Sequence, residues 1–154
     1  MKRNRILADA SRAGKSGLAE LPRLKRLASA FLKKLKISNA ELSLTLVRDR
    51  EIRDINKQWR HKDKATDVLS FPAGDAPEIG FESLGDIIIS VETAARAAKA
   101  LGTTYRRELN LYLAHGLLHL LGHDHQSKAD AKKMAKSELL LLGTAGMLHR
   151  SDEV

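Results

Sequence analysis

The stretch HGLLHLLGHDH, from His115 to His125, holds the residues that packing alone explains least well. Imidazole is the commonest protein ligand for zinc, and His115, His119 and His125 are separated by three and then five residues. Residues four apart lie one above the other on a helix, so His115 and His119 share a face and can grip one ion together. Gly122 falls where that helix should stop, because glycine takes a left-handed C-cap without steric cost, and the reversed chain can bring His125 back towards the first two. The spacing predicts one zinc ion per chain, held by three neutral imidazoles with a fourth position open. A single pair of histidines would be as well explained by ordinary packing. Three of them, a helix-ending glycine, and no cysteine in the chain favour the metal. His123 is expected to face away from the ligands, and Asp124 is placed to orient an imidazole or take a proton from bound water.

The histidines need a rigid support. Leu109, Leu111, Tyr112, Leu113, Leu117, Leu118, Leu120 and Leu121 surround their helix on nearly every side, which predicts a central, buried helix capped by Thr103 or Thr104. Gly116 in its interior costs about 1 kcal/mol relative to alanine, and a close approach by another group would justify that cost. Earlier in the chain, residues 18–36 read as an amphipathic helix with a basic outer face, and 41–47 alternate as a half-buried strand. Asp49 is a candidate N-cap for a helix with Ile52, Ile55 and Trp59 on one side, ending in Arg60. A polar loop then leads to a short strand at 67–71, stopped by Pro72, and 73–83 read as an exposed loop. The isoleucine-rich stretch 84–91 suits a central strand covered on both faces, and Ser90 could cap a helix over 91–101 closed by Gly102. A last helix opens at the capping box of Ser127 and Asp130 and runs to Gly143.

The chain has 154 residues, 27 lysines and arginines and 19 acidic residues, a net charge of +8 that favours an anionic partner such as nucleic acid. The absence of cysteine removes disulfides and thiolate zinc sites and fits a reducing compartment. No apolar run approaches the roughly 20 residues that span a bilayer, so a soluble, cytoplasmic protein without a membrane partner is expected. The first segment, 1–17, could pass in composition for a transit peptide, but a basic and partly disordered arm is the simpler reading. Residues 18–143 are then one domain and 144–154 a loose tail, with no repeat and no second domain.

The spacing of the histidines is also that of the metzincin peptidases, whose motif puts a glutamate general base directly after the first histidine. Gly116 stands there instead, which disfavours peptide hydrolysis by that route. Phosphate-ester cleavage needs charge neutralisation as much as a base, and a nearby arginine would suit it.

Several ordered motifs between about Leu42 and Leu142 make the chain similar to the YbeY family of metal-dependent single-strand endoribonucleases. They are INKQWR ending at Arg60, TDVLSFP at 66–72, LGDIIIS at 84–90, HGLLHLLGHDH itself, and Met134 with Glu138. Ala65 departs from the family's proline, and His123 from its commoner aromatic residue. The resemblance implies an α+β single domain, a small mixed β-sheet flanked by helices with the histidine helix at its centre. It further implies zinc on His115, His119 and His125, catalysis by Arg60 near the metal, and a role in 3′-end maturation of 16S ribosomal RNA and ribosome quality control. Small-subunit ribosomal proteins and a ribosome-assembly GTPase are the partners that follow. Read on its own, Arg60 would be a dipole partner or solvated charge at a helix end. Asp67 is expected to anchor its loop through backbone hydrogen bonds, and Asp86 to be an inward carboxylate seeking an arginine or histidine partner. A zinc hydrolase of peptides and a non-catalytic assembly factor with a structural metal are the competing readings.

Overall fold

The computed structural model describes residues 3–73, 82–122 and 127–152, with side chains to 143. In chain order the elements are β1 (Arg5–Asp9), α1 (Gly14–Lys34), β2 (Ala40–Val47), α2 (Asp49–Arg60), β3 (Val68–Pro72), β4 (Glu82–Ser90), α3 (Val91–Leu101), α4 (Tyr105–Leu120) and α5 (Lys128–Asp152). The strands form one mixed sheet in the order β1-β2-β4-β3, with the first three parallel and β3 antiparallel to β4.

Alternation decides which face of the sheet carries the main core. Leu42, Leu44 and Leu46 of β2 and Ile87 and Ile89 of β4 are fully buried against α1 and α4, joined by Leu24, Leu27, Phe31, Leu109, Leu113 and Leu117. The other face bears a smaller cluster of Val47, Ile52 and Leu69, onto which Ile55 and Ile88 pack. Strand β4 is therefore central and covered on both sides, as its unbroken isoleucines required.

Two polar networks join the helices. Asp49 Oδ1 accepts from Ser90 Oγ at 2.6 Å and Thr93 Oγ1 at 2.7 Å, while its Oδ2 accepts from Arg96 at 2.5 Å. Burial alone would raise the Asp49 pKa, but these donors outweigh it and hold the carboxyl below its ordinary value. Asp49 is thus the first residue of α2, tying it to α3, and the N-cap position belongs to Arg48, without a side-chain cap bond. Between α1 and α4, buried Glu20 receives Arg23 and Arg106, and Arg23 also donates to Asn110 at 2.6 Å. Arg23 accordingly faces inward, an exception to the basic outer face expected of this helix.

Towards both ends the described residues form regular elements where the sequence suggested none. Residues 5–9, expected in a loose arm, form the edge strand β1 beside β2, with Ile6 buried and Asn4 clamped between Ile37 O and Ala40 N. Helix α5 continues to Asp152 instead of stopping at Gly143. A Cβ at Gly143 would meet nothing within 4 Å, so this glycine serves no close approach; it weakens a helix without ending it.

Gly116 has the close approach that its cost called for. A Cβ there would lie 2.9 Å from Ile87 Cγ2 and 3.2 Å from both Ser70 Oγ and Val68 Cγ2, so α4 sits on β3 and β4 with no room for a methyl group. Gly116→Ala gains helix propensity but overpacks this contact, and the net expectation is a loss of about 1–2 kcal/mol of stability. Urea denaturation reads it. A variant more stable than wild type would show that the contact yields freely.

Candidate functional site

Helix α4 starts at Thr104, whose hydroxyl accepts from Arg107 N at 3.1 Å, and runs through the core until its last turn emerges at a cleft. His115 and His119 stand on that emerging face. Their Nε2 atoms are 3.1 Å apart and their rings meet edge to face with centroids 4.6 Å apart. His115 Nδ1 lies 2.7 Å from Glu138 Oε1 on α5. A proton on Nδ1, shared with that carboxylate, leaves the Nε2 lone pair directed at the cleft, the usual arrangement of a metal-binding imidazole with an outer carboxylate.

This geometry fits a metal ion. Two imidazole nitrogens about 2.0–2.1 Å from one tetrahedral zinc ion lie about 3.3 Å from each other, close to the separation found. Among the described residues no group of three or more potential ligands surrounds one point. The third expected ligand, His125, lies outside the described residues, as do His123 and Asp124. Gly122 has φ +92° with its N–H on His119 O, so the chain does turn where the C-cap reading placed it.

The cleft has a volume of about 570 Å³ and is lined by Asn56, Arg60, Lys62, Lys64, residues 66–70, and the two histidines. Arg60, on the last turn of α2, is held across it. Its Nη2 donates to Ser70 O at 2.7 Å and its guanidinium carbon lies 5.0 Å from the centre of the Phe71 ring. Ser70 Oγ in turn donates to Gly116 O at 3.1 Å. One residue of β3 therefore ties the arginine to the helix turn that carries His115, and Arg60, His115 and His119 line one cleft. The loop between them is braced by Asn56, which donates to Lys64 O at 2.9 Å.

The carboxylates divide differently. Asp67 Oδ1 accepts from Val68 N at 2.7 Å and Thr66 Oγ1 at 3.3 Å, which makes it the loop anchor that was expected. Asp86 is exposed and points away from the core, so the inward carboxylate expected there is corrected: in the β4 alternation it falls between buried Gly85 and Ile87, on the opposite face. Tyr112 is no acid or base at neutral pH. Burial, reinforced by the charges of Asp67 and Glu108 and opposed by Arg96, pushes its phenol up to about 12.

Sequence reasoning named Glu138 with Met134 among the family's motifs and gave it no role. A carboxylate at a core-facing position needs a partner, and that was the signal for its contact with His115. Lys62 and Lys64 carried no such signal, because a lysine in a polar loop looks like any solvated charge.

Comparison with known proteins bears on the family of the chain. Residues 15–146 match the family described as endoribonuclease YbeY. The endoribonuclease YbeY of Myxococcus xanthus is 57% identical over 129 residues, which make up 82% of this chain and 44% of that protein. The one from Anaeromyxobacter dehalogenans is 52% identical, covering 82% of this chain and 65% of its own length. The chain thus spans from under half to about two thirds of these relatives. Against the endoribonuclease YbeY of Limosilactobacillus reuteri the match is 40% identical over 83% of this chain and 89% of that one. A solution structure of a Thermotoga maritima protein shares the fold at a TM-score of 0.60 and 29% identity, covering 92% of both chains. With the family match running from α1 into α5 and taking in both histidines, Arg60 and Glu138, the chain belongs to the endoribonuclease YbeY family.

Proposed function

We propose that the protein is a zinc-dependent endoribonuclease that cuts single-stranded RNA, with ribosomal RNA as its substrate and maturation of the 16S 3′ end as its task. One observation supports this above the rest: a cleft in which two imidazole Nε2 atoms converge opposite a tethered arginine, with Lys62 and Lys64 on its wall. His115, His119 and His125 hold the ion in this reading. Zinc bound there supplies charge neutralisation at a phosphoryl oxygen and brings the pKa of water towards neutrality. Glu138 keeps His115 in the tautomer that binds metal, and Arg60 meets the charge that develops on the phosphodiester. The lysines and the net charge of +8 gather the polyanion. A cytoplasmic location, with small-subunit ribosomal proteins and a ribosome-assembly GTPase as partners, belongs to the same proposal. No described helix is long and apolar enough to cross a membrane.

Gly116 stands where a metzincin-type peptidase carries its glutamate base, and Ile87, Ser70 and Val68 crowd the space a side chain there would need, so RNA is favoured over peptide. The test is the metal-loaded wild-type protein on single-stranded RNA, duplex RNA and casein, with zinc content measured. Cleavage of single-stranded RNA that stops with a chelator is expected, with duplex and casein left intact. Degraded casein and surviving RNA would favour the peptidase. Neither substrate cut, with unfolding when the metal is removed, would favour a structural metal.

A further inference from the structure

We infer that Trp59, which directly precedes the cleft-lining Arg60 on α2, is a stacking platform for an unpaired nucleobase and contributes part of the selectivity for single-stranded RNA; this rests on the nuclease reading above. Trp59 is the only tryptophan of the chain and is 63% exposed. It nevertheless stands on the apolar side of α2. Residues 52, 55, 56 and 59 share that side by helical spacing, with Ile52 and Asn56 buried and Ile55 packed on the second core cluster. Trp59, one turn further on, is left largely uncovered. An indole gains a large apolar contact wherever packing is available, so one left in water at the end of a helix invites an occupant.

The surroundings identify that occupant. Arg60, which follows directly in sequence, lines the cleft together with Lys62 and Lys64. Asp67, the acidic residue on that wall, has one carboxylate oxygen engaged by Thr66 and Val68. Lys57, Gln58 and His61, next to Trp59 along the chain, are all exposed and polar, and Asp63 pairs with Arg53 and Lys57, so the indole's neighbours in sequence suit a charged, hydrated ligand better than an apolar protein surface. Cations that follow phosphates, beside an aromatic face that accepts any base, are what single-stranded nucleic acid binds. A base inside a duplex is already stacked and paired and cannot be offered to the indole. The contact is therefore open to unpaired RNA only.

Because the chain has a single indole, its fluorescence reads stacking directly. The protein, freed of metal so that RNA is not cut, is titrated with single-stranded oligoadenylate of about ten nucleotides, an RNA duplex of similar length, and inorganic polyphosphate. End-label anisotropy follows RNA binding independently. Quenching by the single strand alone is expected, and Trp59→Ala should bind that strand roughly tenfold more weakly, with KM for cleavage rising more than kcat falls and Trp59→Phe recovering most of the loss. Unchanged emission when anisotropy shows bound strand, or a wild-type KM in Trp59→Ala, overturns the platform while RNA cleavage leaves the nuclease reading standing. Equal quenching by duplex or polyphosphate also overturns it. So does sedimentation showing that a dimer, and not RNA, covers Trp59. Failure of the nuclease reading shows separately, as absence of cleavage by the metal-loaded wild type.

Discussion

Replacing His115 by alanine is expected to remove the metal and to lower cleavage of single-stranded RNA on the order of a thousandfold, with the fold retained. The imidazole is one of two described nitrogens converging at 3.1 Å, and without it the remaining ligands cannot close a tetrahedral site. The rate loss follows from the several kcal/mol that a metal supplies to charge stabilisation, each 1.4 kcal/mol being about tenfold. Stability should change little, because the His115 side chain is 29% exposed at the cleft and alanine is the better helix former. Glu138→Gln is the graded companion. It keeps an acceptor for Nδ1 but removes the charge 2.7 Å away, and a loss of about 10- to 100-fold in metal affinity is expected. Zinc content by mass spectrometry, thermal melts and RNA cleavage on the same preparations check both. A His115→Ala protein that keeps one zinc and the wild-type rate would remove His115 from the metal centre.

The elements that position this site were readable because their signals are local. Strand β2 shows itself in the alternation of Leu42, Leu44 and Leu46, and α4 in the leucines that surround it, so the scaffold under the histidines could be read without its partners. What escaped reading depends on contacts distant in the chain. Strand β1 has one buried residue, Ile6, and becomes a strand by pairing with residues 36 positions further on. Trp59 fits the apolar stripe of α2 in sequence, yet where that stripe outruns its cover is a fact of the sheet and not of the helix. Asp86 looked inward because it sits among isoleucines, while strand geometry turns alternate residues to opposite faces. At the site, the pairing of His115 with His119 followed from spacing four. The tether from Arg60 through Ser70 to Gly116 joins three separate elements and could not be read from any one of them.

Arg60→Ala should lower kcat for single-stranded RNA by about 100- to 1,000-fold, the usual cost of losing one group aimed at developing charge. The side chain is exposed, and its bond to Ser70 O is a surface contact, so stability should stay within about 0.5 kcal/mol of wild type. Arg60→Lys separates charge from shape. Lysine keeps the positive charge but cannot hold Ser70 O and the Phe71 ring while presenting a planar fork to phosphate, so an activity between those of alanine and wild type is expected. The split between the kinetic constants decides what the arginine does. A group that meets charge only at the transition state lowers kcat with little change in KM, whereas one that merely gathers RNA raises KM and does so more weakly as salt is added. An Arg60→Ala protein with kcat within twofold of wild type and a raised, salt-sensitive KM would place Arg60 with Lys62 and Lys64 as a cleft cation and leave the phosphodiester to the metal alone.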